Sequence, residues 1–167
     1  MSFESALKEV LKWEGGDTIT EDPRDPGGLT KYGISQRAFP SLNIRELTYN
    51  EAMLIYKEKY WQRVRGDELP EGLDLCVFDM AVNQGVSAAV KALQRAVGAS
   101  PDGVLGQGTL KSVKAVKPSE AIIRFMQMRA AAYLATPNLD KYGKGWMNRL
   151  VDITVKAARL AKDNPFT

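Results

Sequence analysis

The chain has 167 residues, 44% of them hydrophobic and 26% charged, the proportions of a soluble globular protein built as one domain or one domain with an appendage. It has no histidine and a single cysteine, Cys76, which excludes Ser-His-Asp and Cys-His catalysis, most zinc, haem and non-haem iron sites, and any intramolecular disulfide. The net charge of +3 conceals a split: residues 1–88 hold 10 Lys/Arg against 15 Asp/Glu, and residues 89–167 hold 13 against 5, an acidic front and a basic back suited to facing something anionic.

Phe3, Ala6, Leu7, Val10 and Leu11 recur at helical spacing and predict a first helix, which Gly15-Gly16 stops. Residues 17–34 are rich in Asp, Pro, Gly and Thr and predict a long loop or small hairpin; structureless stretches of this length are usually functional. Thr48-Tyr49-Asn50-Glu51 is a capping box that opens a helix reaching about Trp61. A third helix is expected over about 71–83, with Leu73, Val77, Met80 and Ala81 on one side and Cys76 as a buried hydrophobe. Ser87 caps a fourth, ended by Gly98. After the turn cluster Asp102-Gly103-Val104-Leu105-Gly106 come a short helix over about 108–116, another over about 119–135 with Pro118 at its start, and a last over about 144–162. The reading is an all-α protein with one long loop near its start. No segment approaches the roughly 18 apolar residues that span a membrane. The start of the chain lacks the basic and apolar regions of a signal peptide, which predicts synthesis in a cytoplasm without standard export.

With histidine and metal chemistry set aside, the 20 carboxylates are the candidates for catalysis. Glu14 is expected at a helix C-terminus beside Trp13. The negative end of the helix and the apolar neighbour both disfavour the ionised form. A carboxyl kept protonated near neutral pH is what a glycosidase needs to protonate a leaving oxygen. The following loop supplies Asp22 and Asp25 as candidates for the second carboxylate and Thr30 to hold a water, while its Asp-Pro and Pro-Gly-Gly turns can fold it back toward the helix end.

Lys12-Trp13-Glu14-Gly15-Gly16, then Asp22-Pro23-x-Asp25-Pro26-Gly27-Gly28-x-Thr30-x-Tyr32-Gly33-Ile34-Ser35, resembles the start of the glycoside hydrolase family 108 muramidases, which are bacteriophage endolysins and related bacterial enzymes. The likeness continues through Tyr60-Trp61, Phe78-Asp79-x-Ala81-Val82-Asn83-x-Gly85, Leu93-Gln94-x-Ala96, Asp102-Gly103-x-x-Gly106-x-x-Thr109-Leu110 and Gly145-Trp146, nearly the whole chain. It implies a helical, lysozyme-like fold and hydrolysis of the β-1,4 bond between N-acetylmuramic acid and N-acetylglucosamine, with lysis or remodelling of a bacterial wall as the outcome. Glu14 takes the place of the family's catalytic glutamate, and Thr30 that of the threonine in the Glu-Asp-Thr set of the wider phage lysozyme group. Asp25 is favoured over Asp22 as the second carboxylate. Asn83 and Gln84 are expected to line the sugar cleft together with Asp22, and Tyr32 and Trp61 to pack on sugar rings. Asp17 stands where the family usually has tyrosine.

The resemblance further implies a catalytic region over 1–88 and a peptidoglycan-binding-like helical region over 89–167, packed as one unit. The partner is the glycan strand. A monomer is expected, with no cofactor, no metal and no nucleic acid, and the basic last helix is a candidate for transient contact with an anionic envelope. The enzyme would reach the wall after release by a holin or another non-standard route. Two other readings remain open: a lytic transglycosylase that closes an anhydro ring without water, and a non-catalytic peptidoglycan-binding protein.

Overall fold

A computed structural model describes residues 1–21 and 28–163. The chain forms two compact units, Ser2–Lys59 and Tyr60–Thr167, the second also holding Met1.

In the first unit, α1 (Phe3–Leu11) starts at Ser2, whose hydroxyl accepts the Ser5 N–H at 3.3 Å. It buries Phe3, Ala6, Leu7, Val10 and Leu11 along one stripe, the one their spacing predicts. Strands β1 (Thr30–Lys31) and β2 (Ile34–Ser35) form a small antiparallel hairpin. A 3-10 turn at Ile44–Glu46 leads to α2 (Tyr49–Tyr56), where the capping box between Thr48 and Glu51 is complete. α2 packs on α1 and buries Ala52 and Tyr56. The helical path then widens into a π turn, Lys57–Trp61, and the border between the units falls inside it.

The second unit is built around α3 (Leu73–Gln84). All of its residues up to Ala81 are buried, the arrangement of a helix enclosed on every side, with Asp74 and Asp79 as the carboxylates inside an otherwise apolar run. α4 (Val86–Ala96), α6 (Pro118–Leu134) and α7 (Leu139–Leu160) pack against it, and α5 (Gln107–Lys114) precedes α6. Burial pushes the Cys76 thiol far above its ordinary pKa, so this residue acts as a hydrophobe. Gly72 (φ +86°) precedes α3 so closely against the Ala157 carbonyl that no side chain fits. Asp74 caps the helix: Oδ1 accepts the Gly72 and Leu75 N–H groups at 2.8 and 2.7 Å, and Oδ2 pairs with the chain's amino terminus. Burial nonetheless holds its carboxyl above the usual aspartate range.

The chain is thus mainly helical with one small hairpin, as expected. Position 88/89 lies within α4, inside the second unit. Compactness is a property of packing and does not bear on a division of roles there. α7 begins at Leu139, earlier than the helical pattern alone predicts, and buries Ile153 and Ala157 in the fold. Among the described residues no helix is long and apolar enough to cross a membrane.

Candidate active site

α1 closes at Leu11, so Glu14 sits in the turn beyond the helix and not in its last turn. The turn still carries helix-like bonds: the Trp13 N–H donates to Val10 O at 2.9 Å and the Glu14 N–H to Leu11 O at 3.2 Å. Gly15 and Gly16, at φ +86° and +57°, then reverse the chain, and the Gly16 N–H reaches back to Leu11 O at 3.1 Å. These are the two glycines that the sequence identifies as the helix stop.

The loop returns to this turn. Thr20 and Thr30 exchange both backbone hydrogen bonds at 2.9 Å, and the Tyr32 N–H donates to Gly16 O at 2.9 Å. Lys31 pairs with Ile34, leaving Tyr32 and Gly33 as a two-residue turn with φ +52° and +70°. Two successive positive φ values are the signature of a type I′ hairpin, whose twist matches the strands. For a bulky residue such as Tyr32 the conformation is costly, and it is held in place. The Tyr56 hydroxyl donates to its carbonyl at 2.8 Å, and its ring meets Tyr49 edge-on at 6.1 Å.

Gly33 brings Glu14 to the hairpin tip. A Cβ on Gly33 would lie 2.8 Å from Glu14 Cβ, 3.1 Å from Glu14 Oε2 and 2.7 Å from the Tyr56 hydroxyl. The glutamate side chain and the tyrosine hydroxyl therefore converge on the one position where the backbone carries no side chain. Glu14 is half-buried there. Thr30, also half-buried, donates a long 3.4 Å bond to Gly28 O. Asp22 and Asp25 lie outside the described residues. An open depression of about 380 Å³ beside the Gly16 turn is lined by Lys8, Leu11, Lys12 and Tyr49.

In the second unit, Asn83 and Gln84 end α3 on a pocket of about 250 Å³ shared with Tyr133, Thr136 and Trp146. Asn83 Oδ1 accepts the Tyr133 hydroxyl at 2.6 Å, and Trp146 stacks on Tyr133 with centroids 5.1 Å apart. The same hydroxyl accepts from Arg129 Nη2 at 2.9 Å, and burial raises the phenol pKa against the lowering pull of that guanidinium. Beneath lies a wholly buried carboxylate, Asp79, paired with Arg129 at 2.6 Å and with Arg149 at 2.8 Å. Two cations share one anion here. Gln84 Oε1 and Arg129 Nη1 are buried without a hydrogen-bond partner among the described residues.

Trp61 requires a correction. It is 0% exposed, its indole N–H donates to Asp67 Oδ1 at 2.9 Å, its ring meets Phe78 edge-on, and the Gly66 backbone lies flat against it. Protein occupies every face that a sugar would need. The half-exposed aromatic beside Asn83 is Trp146. Tyr56 and Trp146 carry no role in the sequence reading, and a signal existed for each. Tyr56 falls one turn after Ala52 on the buried side of α2, where a phenol must find an acceptor. Trp146 belongs to the Gly145-Trp146 pair already matched to the family.

A family model described as Glycosyl hydrolase 108 matches residues 7–85, a span holding Glu14, the hairpin, Asn83 and Gln84. A solved structure of SagA from Brucella abortus is similar over 96% of each chain, with 34% identity and a TM-score of 0.86. No curated protein matches significantly.

Proposed function

The chain belongs to glycosyl hydrolase family 108, and from that premise we propose that it is a muramidase that hydrolyses the β-1,4 bond between N-acetylmuramic acid and N-acetylglucosamine, with Glu14 as the general acid. One observation carries the assignment: the hairpin is tied back to the turn after α1, and Gly33 at its tip leaves the space that the Glu14 side chain and the Tyr56 hydroxyl approach. A proton donor must be held within hydrogen-bond reach of the glycosidic oxygen, and an enclosed carboxyl is held. In the proposed step, Glu14 gives its proton to the leaving oxygen as the C1–O bond breaks. A water adds at C1 and loses its proton to the second carboxylate, Asp25, with Thr30 holding that water. Asn83 and Gln84 offer amide groups to the glycan, beside the ring face of Trp146. The place of action is the cell wall, and no cofactor is needed.

Glu14→Gln keeps the shape and removes the acid. It should abolish wall hydrolysis and leave the melting temperature equal or higher, because catalytic groups often cost stability. Turnover above about a tenth of wild type would remove Glu14 from the role. Asp25→Asn should cost about a hundredfold in rate, whereas Asp22→Asn should cost little; the reverse result would exchange their assignments. Mass spectrometry of the digest separates the readings. Reducing muramic ends support hydrolysis, ends lighter by one water identify a lytic transglycosylase, and an uncut wall with bound protein identifies a binding protein.

A further inference from the structure

In the first unit the aromatic rings divide by burial. Phe3 and Tyr56 are buried, Trp13, Tyr32 and Phe39 are half-buried, and Tyr49 keeps 42% of its surface in solvent. Tyr49 is nonetheless firmly placed. It is the first residue of α2, directly after Thr48 of the capping box, and the Tyr32 ring braces it edge-on at 6.1 Å. An edge-to-face contact covers at most one face of either ring, so a face of Tyr49 remains for another partner.

That ring borders the depression of about 380 Å³ beside the Gly16 turn. Its volume falls in the range of about 300–1,000 Å³ that small-molecule sites occupy. Leu11 and Gly16 line it too, and both belong to the turn that carries Glu14: the Glu14 and Gly16 N–H groups donate to Leu11 O at 3.2 and 3.1 Å. A Cβ on Gly16 would meet nothing within 4 Å, so the turn is open there. The depression therefore adjoins the candidate active site. Lys8 and Lys12, one helical turn apart on α1, complete the lining. Glu9 holds Lys12 at 2.8 Å, whereas Lys8 forms no ion pair with a described residue.

We propose that Tyr49 is a specificity-determining residue on whose open face a pyranose of the glycan packs, beside the sugar at the scissile bond; this rests on the muramidase reading and adds a subsite to it. A pyranose has a face of C–H groups and a rim of hydroxyl and carbonyl oxygens. The electron-rich face of an aromatic ring attracts the C–H groups. The lysine ammonium groups, which are donors only, meet the rim oxygens. An apolar side chain of another protein would cover the ring equally well, but it would take water from two ammonium groups and replace it with no acceptor. The capping box and Tyr32 also hold the ring before the sugar arrives, so little freedom is lost on binding.

The test uses the full chain and a peptide-free glycan tetrasaccharide. Titrated into Glu14→Gln, which keeps the probe intact, the tetrasaccharide should move the amide NMR signals of Lys8 and Gly16. Adding Tyr49→Ala should weaken its binding at least about tenfold, and Tyr49→Phe, which keeps the ring, should bind within about twofold of the parent. In turnover with Glu14 restored, Tyr49→Ala should raise KM about tenfold and leave kcat nearly unchanged, because a ring away from the breaking bond holds substrate and transition state alike. A Tyr49 that merely braced the hairpin would act the other way, lowering kcat and the melting temperature with little change in KM. That result, unmoved Lys8 and Gly16 signals, or equal binding by Tyr49→Ala and its parent would overturn the proposal. So would a self-association of the wild type that Tyr49→Ala abolishes while saccharide binding persists. A wild type that binds the tetrasaccharide through Tyr49 but never cuts it would strike the muramidase reading and leave the subsite standing.

Discussion

Gly33 shows how one missing side chain can make room for a carboxyl group. Its φ of +70° lies where an L-residue costs about 1 kcal/mol, and an added methyl would press on both Glu14 and the Tyr56 hydroxyl. Gly33→Ala should therefore lose about 2 kcal/mol of stability by urea denaturation. On the role proposed for Glu14, it should also lower kcat more than it raises KM, because the added methyl displaces that carboxylate. Unchanged kcat per folded molecule would mean that Gly33 serves the turn alone. The turn that carries Glu14 was legible in the sequence, since Trp-Glu-Gly-Gly joins a carboxyl to a helix stop. The reason for Gly33 was not legible, because it depends on Tyr56, which approaches from a different helix. Trp61 was misread for a related cause. Whether an aromatic ring faces solvent or core is decided here by Gly66 and Asp67, and a hydrophobic period does not register a glycine laid against an indole.

At the scale of elements, α3 is the hub and Asp79 is the group that ties three helices to one another. Arg129 comes from α6 and Arg149 from α7, and the Tyr133 hydroxyl carries the network on to Asn83 at the end of α3. A buried ion cluster of this kind is weak evidence for net stability, but breaking one member of it is expensive. Asp79→Asn should lose about 3–5 kcal/mol, because two buried guanidinium groups would face a neutral amide. Replacing all three charges together, Asp79→Leu with Arg129→Met and Arg149→Met, should recover most of that loss. A triple variant less stable than the single one by urea midpoint would show that the cluster holds the helices together by its own attraction. Asp79 announces itself in the sequence as a carboxylate inside an apolar run. Its partners do not, since Arg149 lies 70 residues away and no local spacing points to it. The helices themselves were readable, from the capping box at Thr48, glycine stops and Pro118, although α4 starts after Gly85 and holds Ser87 inside it; their mutual contacts were not readable.

At the scale of the molecule, the boundary between compact units was hidden for a physical reason. It falls inside the helical run from Tyr49 through Trp61, where no proline, glycine or serine tract marks a change. The charge split was legible from composition, and it leads to the broadest prediction. Residues 89–167 carry a balance of +8, and several of their cations, Lys111 and Lys144 among them, form no ion pair with a described residue. Such charges act on a distant anionic surface, and salt screens them over about 8 Å at physiological ionic strength. Binding of the full chain to intact sacculi should fall steeply between about 50 mM and 500 mM salt, as the screening length shrinks. Hydrolysis of a short soluble glycan should hardly change over the same range, because the proton donation proposed for Glu14 acts at contact distance. Measured side by side, the two curves separate attraction to the wall from the reaction on it. If sacculus binding and glycan hydrolysis fell together, salt would be acting on the reaction itself, and the basic region would have no role in holding the enzyme to its substrate.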